Sequence, residues 1–450
     1  MIRDLTTGSV SKTLVEFSMP LFLANLLLMV YNMVDMVVIG QFVGSTGLSA
    51  VSIGTDIIHM PTFLAMGFCN AGQVIISQLV GAGDTKSVTR SIGTMFTVLL
   101  AISLALTAVG FIWADAFLNL MNTPPEAFAL ARDYTLTCIA GLFFTFGYSL
   151  VSAILRGMGD SRHPLIFIAI AAVTNLILDL VFVAVFKWEA FGAALATVIG
   201  QSISFIISIG FLYKRKGQFG FDFKLKSFMV DRLILNRFLR LGVPMSLQSM
   251  AINFSMIFVN AYINAYGVIA SAVSGIGAKL SLVPSIISSS FSTGGAAMVG
   301  QCLGAGKTER IPRVISFSML VNLAFATLLT LLTVLLPRQI FGLFNNDELV
   351  LEMAMTYIPC AVLSYYGFAL RAPFFSLING VGHAKLNLSV GLLDGVVCRI
   401  GLALLLGITA GMGISGFWYG NVLAGYVPFF IGGVYFIFGK WKTQNPQVIV

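Results

Sequence analysis

The chain repeats itself. Gln78-Leu79-Val80-Gly81-Ala82-Gly83 recurs 223 positions later as Gln301-Cys302-Leu303-Gly304-Ala305-Gly306. Gly157-Met158-Gly159 recurs at the same offset as Gly380-Val381-Gly382. Pro20, in Ser18-Met19-Pro20-Leu21, has its counterpart 224 positions on in Pro244, in Gly242-Val243-Pro244-Met245. Matches at almost one spacing mean two halves built alike. The halves are also strongly apolar: 58% of the 450 residues are hydrophobic and 10% are charged. A soluble domain carries about 25% charged residues. A doubled apolar half is the plan of a polytopic membrane protein with a route between its halves.

Crossing the hydrocarbon takes about 20 apolar residues. Twelve such spans are predicted, near 15–39, 50–80, 92–113, 131–155, 163–186, 191–213, 236–262, 270–301, 314–336, 352–376, 385–407 and 413–437. The second and eighth exceed one span, and Gly81-Ala82-Gly83 and Gly304-Ala305-Gly306 are expected to end them as glycine C-caps. The first apolar run begins near Leu14 without a cleavage pattern, so it reads as a retained helix.

Basic residues set the orientation. Twenty of them fall at the two ends and in the loops after even-numbered spans, against Arg132, Lys187 and Arg338 in the opposite loops. Both termini are therefore expected in the cytoplasm of a cell-membrane protein. The fold expected is an all-α membrane protein with twelve transmembrane helices in two six-helix lobes. The lobes would be residues 1–213 and 236–450, joined by a basic linker, 214–235. Six helices per half is an even number, so the lobes would be related by a pseudo-twofold axis along the membrane normal.

Several classes lose support. The net charge of +8 sits between apolar spans, as membrane orientation requires, and does not mark a nucleic-acid surface. Cys69, Cys138, Cys302, Cys360 and Cys398 show no paired or metal-ligand spacing and read as apolar packing residues. No Walker A, HExxH or GxSxG pattern occurs, so neither ATP-driven transport nor enzymatic chemistry is indicated.

Ionisable residues inside spans are expensive and default to functional candidates. Here they are Asp35, Asp56, Asp179, Lys279, Arg371, Asp394 and Arg399. Asp35 and Asp179 both lie in the outer third of outward-running spans. Asn175 sits one turn from Asp179 on the same face, and Thr197 and Tyr134 fall at the same depth. Carboxylate, amide and hydroxyl oxygens suit a small hard cation, Na⁺ at Asp35, Asn175, Asp179 and Thr197. Two close carboxylates cannot both ionise cheaply in low dielectric, so such a pair would share a proton. Tyr134 and Asn32 are expected as neighbours, Asn32 because Asn25, Met29, Asn32 and Asp35 share one broad face. Pro20 lies well inside the same span and permits a kink, so it is the candidate hinge. His59 stands one turn from Asp56, either as a proton relay or as a cavity-lining histidine.

The acids do not recur in the second half. Cys398 and Leu402 stand where Asn175 and Asp179 would repeat, and Lys279 replaces Asp56. Asp394 and Arg399 share the eleventh span, with Arg371 on the tenth. Lys279, Arg371, Asp394 and Arg399 are the polar candidates of the second lobe. Asp394 pairs structurally with Arg371 or Arg399, or the group forms a second site for an acidic or polar part of a substrate.

With these residues in place the chain resembles the multidrug and toxic compound extrusion transporters. The resemblance is carried by Pro20 with Tyr31-Asn32-Met33-Val34-Asp35, Gln78-x-x-Gly81-Ala82-Gly83-Asp84 with Arg90, Arg156-Gly157-Met158-Gly159-Asp160, Asn175-x-x-x-Asp179, and Gly192-Ala193-Ala194-Leu195-Ala196-Thr197. It covers essentially the whole chain. It implies two lobes forming a V and export of amphipathic, often cationic compounds coupled to inward Na⁺ or H⁺. It implies no other cofactor, and a monomer meeting small amphipathic substrates and membrane lipids. It also places the family's outer cation site on Asp35, Asn175, Asp179 and Thr197, with Tyr134 near it. A branch of the family has an acid on the seventh helix. Here Gln248, Asn253 and Asn260 are that helix's polar residues, so a cation site in the second lobe is not expected. The alternative within the same superfamily is a flippase for lipid-linked oligosaccharide, which Lys279, Arg371 and Arg399 would suit.

Overall fold

The computed structural model describes residues 3–442. Residues 1–2 and 443–450, including the C-terminal tip assigned above to the cytoplasm, lie outside the described residues. Among the described residues the chain is helical without a strand. Eleven helices are long and apolar enough to cross a membrane, and one bent pair supplies a twelfth span. In order they are α1 (Val10–Phe42), α2 (Gly44–Gly81), α3 (Thr85–Leu120), α4 (Pro125–Ala140 with Leu142–Gly157), α5 (Arg162–Val185), α6 (Glu189–Lys214), α7 (Arg232–Asn264), α8 (Val268–Gly304), α9 (Thr308–Leu335), α10 (Glu348–Val381), α11 (Ala384–Thr409) and α12 (Ile414–Phe438). All twelve predicted spans have a counterpart here. The two halves of α4 meet at Gly141 with a 48° bend, a break the sequence pattern does not signal.

The helix ends explain the doubled glycine motif. α2 stops at Gly81 and α8 at Gly304, and the next-but-one glycines, Gly83 and Gly306, take φ of +71° and +70°. Only glycine adopts that left-handed geometry without strain. It turns the Asp84 and Lys307 amides back onto the Leu79 and Cys302 carbonyls, at 3.1 and 2.9 Å. The orphan carbonyls of the last turn are thereby satisfied. Asp84 then caps α3 by accepting from the Ser87 amide at 3.0 Å. Hydrogen bonds from the Ser87 hydroxyl and amide hold the Asp84 carboxyl below the usual carboxylate range.

The chain forms two compact units. In unit 1, α2 packs on both parts of α4, and α5 packs on α6. In unit 2 the equivalent pairs are α8 on α10 and α11 on α12. The close approach of α11 and α12 depends on missing side chains. A Cβ on Gly416 would lie 2.4 Å from the Gly407 amide nitrogen, and one on Gly420 would lie 2.3 Å from that of Ala403. Small residues four apart are how helices approach closely in lipid.

The units do not divide at the basic linker. Among the described residues, unit 1 holds 3–4 and 19–243, and unit 2 holds 5–18 together with 244–442. Helices α1 and α7 therefore each pass from one unit to the other, changing over just before Pro20 and Pro244. On unit 2, Lys307 donates to the Thr6 hydroxyl at 3.0 Å and Arg310 to the Gly8 carbonyl at 2.9 Å. The linker itself is anchored on unit 1. Thr97 donates to the Phe228 carbonyl at 2.7 Å, Thr89 to that of Gly220 at 3.1 Å, and Phe221 is fully buried. A helix made continuous by its apolar length carries no mark of where its partners change.

Candidate functional site

The first lobe brings α1, α5 and α6 together around two polar layers one helical turn apart. In the first layer the Asp35 carboxyl of α1 and the Asp179 carboxyl of α5 are close neighbours. Asp179 is 1% exposed. In the second layer Asn175 Nδ2 donates to Thr197 Oγ1 at 3.2 Å, and the Tyr31 hydroxyl lies 3.4 Å from the same Thr197 oxygen. The layering follows from helical spacing. Tyr31 precedes Asp35 by four residues and Asn175 precedes Asp179 by four, so α1 and α5 each contribute one residue to each layer.

The hydrogen-bond accounting is incomplete in one chemical sense. Asp35 Oδ1, Asn175 Oδ1, Asp179 Oδ1 and Gln201 Oε1 are buried and accept no hydrogen bond. A buried polar atom without a partner is costly, and native structures explain most such atoms by water or an ion. Four of them here are oxygens, and two belong to carboxylates. A small cavity of about 20 Å³ lies against the second layer, at Tyr31, Tyr148, Asn175, Thr197 and Gln201, and is not lined by the two carboxylates. That is room for about one water molecule or bare ion. Oxygen ligands of this kind match a hard monovalent cation.

Tyr134 is buried within electrostatic range of Asp35 and Tyr31, and its hydroxyl pairs with Thr55 Oγ1 at 3.2 Å. The other expected neighbour is not there. Asn32 is exposed, because three residues back from Asp35 points further round the helix than four. Tyr31 holds the place expected of Asn32. Gln201 was equally missed, although it lies one turn beyond Thr197. Asp56 and His59 are exposed, with the His59 ring stacked 5.5 Å from Phe63. Pro20 lies within continuous α1.

In the second lobe Asp394 Oδ1 accepts from Arg399 Nη2 at 2.6 Å, with both residues buried. Their spacing is five residues, which an α-helix would put on different faces. The segment Leu392–Cys398 is a π-helix, whose i→i+5 bonding brings such residues onto one face. Arg399 also donates to Asn421 Oδ1 at 2.7 Å. Arg371 lines a cavity with Arg399, whereas Lys279 is exposed on α8 and does not line it.

The chain matches known proteins over its whole length. It is 28% identical over 448 residues to a probable multidrug resistance protein, YpnP, of Bacillus subtilis, covering 98% of each chain. It is 27% identical to YoeA of the same organism, also described as a probable multidrug resistance protein, over 80% of this chain and 79% of that one. Among solved structures, a MOP superfamily transporter from Pyrococcus furiosus superposes with a TM-score of 0.88 at 20% identity, covering 99% of this chain and 98% of the other. The MatE family model matches twice, at residues 20–181 and 244–405, which is the internal repeat seen again. The chain belongs to the MatE family, the multidrug and toxic compound extrusion transporters.

Proposed function

We propose that the protein exports amphipathic, often cationic compounds across the cell membrane by alternating access, driven by inward Na⁺ or H⁺ bound at Asp35, Asp179, Asn175 and Thr197. The relatives' description as multidrug resistance proteins supports a varied substrate range. The observation that carries the coupling site is the set of four buried, unpartnered oxygens between α1, α5 and α6. Tyr31 and Gln201 join the site as polar neighbours. One site serves both ions, because a proton on the carboxyl pair removes the charge that holds Na⁺. Binding of each ion must then weaken binding of the other.

Isothermal titration of Na⁺ into the purified protein at about pH 8, 7 and 6 checks this competition. Apparent Na⁺ affinity falls at each acid step. Na⁺ binding that ignores pH argues against a shared site. No Na⁺ binding at any pH leaves a proton-driven exporter.

The orientation is proposed from the basic residues, twenty on one side against three on the other. Reporter fusions within 214–240 and after Lys440 should both read cytoplasm. An external signal from either would require an odd number of spans before it.

A further inference from the structure

The second lobe holds a cavity of about 280 Å³, and its place in the repeat is informative. The small first-lobe cavity is lined by Tyr148, Thr197 and Gln201. Advanced by the 223–224 offset, these become Arg371, Asn421 and Gly425, and all three line the second-lobe cavity. Part of the second recess thus repeats part of the first. Its charge is reversed: the carboxylates of the first lobe have no counterpart, and two arginines face the second recess.

The two arginines are not equivalent. Arg399 is committed to Asp394 and Asn421, so its charge is neutralised. Arg371 makes no hydrogen bond and no ion pair among the described residues. It feels the Asp394 charge at longer range, but that charge already belongs to Arg399. Its guanidinium lies 5.0 Å from the Phe375 ring centre and 5.7 Å from that of Phe368. Ring faces attract the cation but accept none of its five N–H donors. A charged fork with unfilled donors, facing a cavity at membrane depth, is open to an acceptor from outside the fold. Three hydroxyls line the same cavity: Ser281 and Ser364, 3.0 Å apart, and Ser285. Toward the outer ends of α10 and α12 the wall becomes aromatic, with the Tyr357 and Trp418 rings 5.0 Å apart.

We infer that this recess is a binding site for the oxyanion group of an aromatic amphipathic compound, with Arg371 as its charge partner and the serines as supporting donors. An arginine fork matches a carboxylate with two parallel hydrogen bonds, and the aromatic wall takes the ring. Such a site goes beyond the proposed cation coupling. It would let one carrier hold zwitterionic or acidic compounds as well as cations.

The test uses the full-length protein in nanodiscs, titrated with 2-naphthoate and with uncharged 2-naphthamide, empty discs subtracted, in choline buffer free of Na⁺. That buffer keeps the result independent of the first-lobe site. Naphthoate should bind about tenfold or more tighter than the amide, since only the acid fills a charge-assisted pair. Arg371→Gln should remove that preference, and Arg371→Lys should retain part of it as a point charge without the fork. Equal binding of acid and amide by the unaltered protein would overturn the assignment, whatever the variants do. So would unchanged naphthoate affinity in Arg371→Gln, or no naphthoate binding at all.

Discussion

Asp179→Asn is expected to leave the protein inserted and folded while removing ion-driven export. The asparagine keeps the size and hydrogen-bonding shape of the side chain. It loses the negative charge, and a hydrogen bond or contact to a charged group is worth about 1.5–3 kcal/mol, or roughly ten- to a hundredfold in affinity. A transporter whose driving ion binds that much more weakly loses coupling, whichever ion drives it. Stability should move the other way. Asp35 and Asp179 are close neighbours that share one proton, and an asparagine stands in for the protonated partner without stranding a charge. The melting temperature in one detergent should therefore hold or rise as gradient-driven uptake into proteoliposomes falls. Normal coupling in this variant would remove the first-lobe pair from the mechanism. A lost fold would make Asp179 a structural residue.

The repeat, the span count and the glycine-capped ends were legible because each has a local cause. A span needs a run of apolar residues, and a helix that must stop before a left-handed turn needs glycine at the position Gly83 and Gly306 occupy. The Asp179–Asn175 layering was legible from spacing alone. The same four-residue rule, applied to Asp35 and Thr197, reaches Tyr31 and Gln201, so those two were available and overlooked. Other features were hidden for physical reasons. Nothing local marks the bend at Gly141, because that glycine sits in an apolar run like many others. The changeover of α1 and α7 between units is a matter of which neighbours they pack on, and apolar helix surface does not name its partner. The Asp394–Arg399 pair was left open between two arginines because α-helical spacing separates residues five apart. The π-helical segment that joins them packs closely on α7, where a Cβ on Gly395 would meet the Ala251 carbonyl carbon at 2.8 Å.

That buried pair should dominate the stability of the second lobe. Asp394 is fully buried and Arg399 is 3% exposed, and the contact between them is 2.6 Å. Removing one partner strands the other charge away from water, which costs about 3–5 kcal/mol. Asp394→Ala leaves the Arg399 guanidinium with only Asn421, so a large drop in melting temperature and poor yield are expected. Asp394→Asn still offers an oxygen to Arg399 and should lose less. Asp394→Leu combined with Arg399→Met removes both desolvation penalties and fills similar volume, so it should recover much of what Asp394→Ala loses. Thermal unfolding of the four proteins in one detergent makes the comparison. Ion coupling in Asp394→Asn should survive, since the pair lies in the other unit from Asp35 and Asp179. A double variant no more stable than Asp394→Ala would mean the cost is shape and not stranded charge. Lost coupling in a well-folded Asp394→Asn would move this pair from structure into transport.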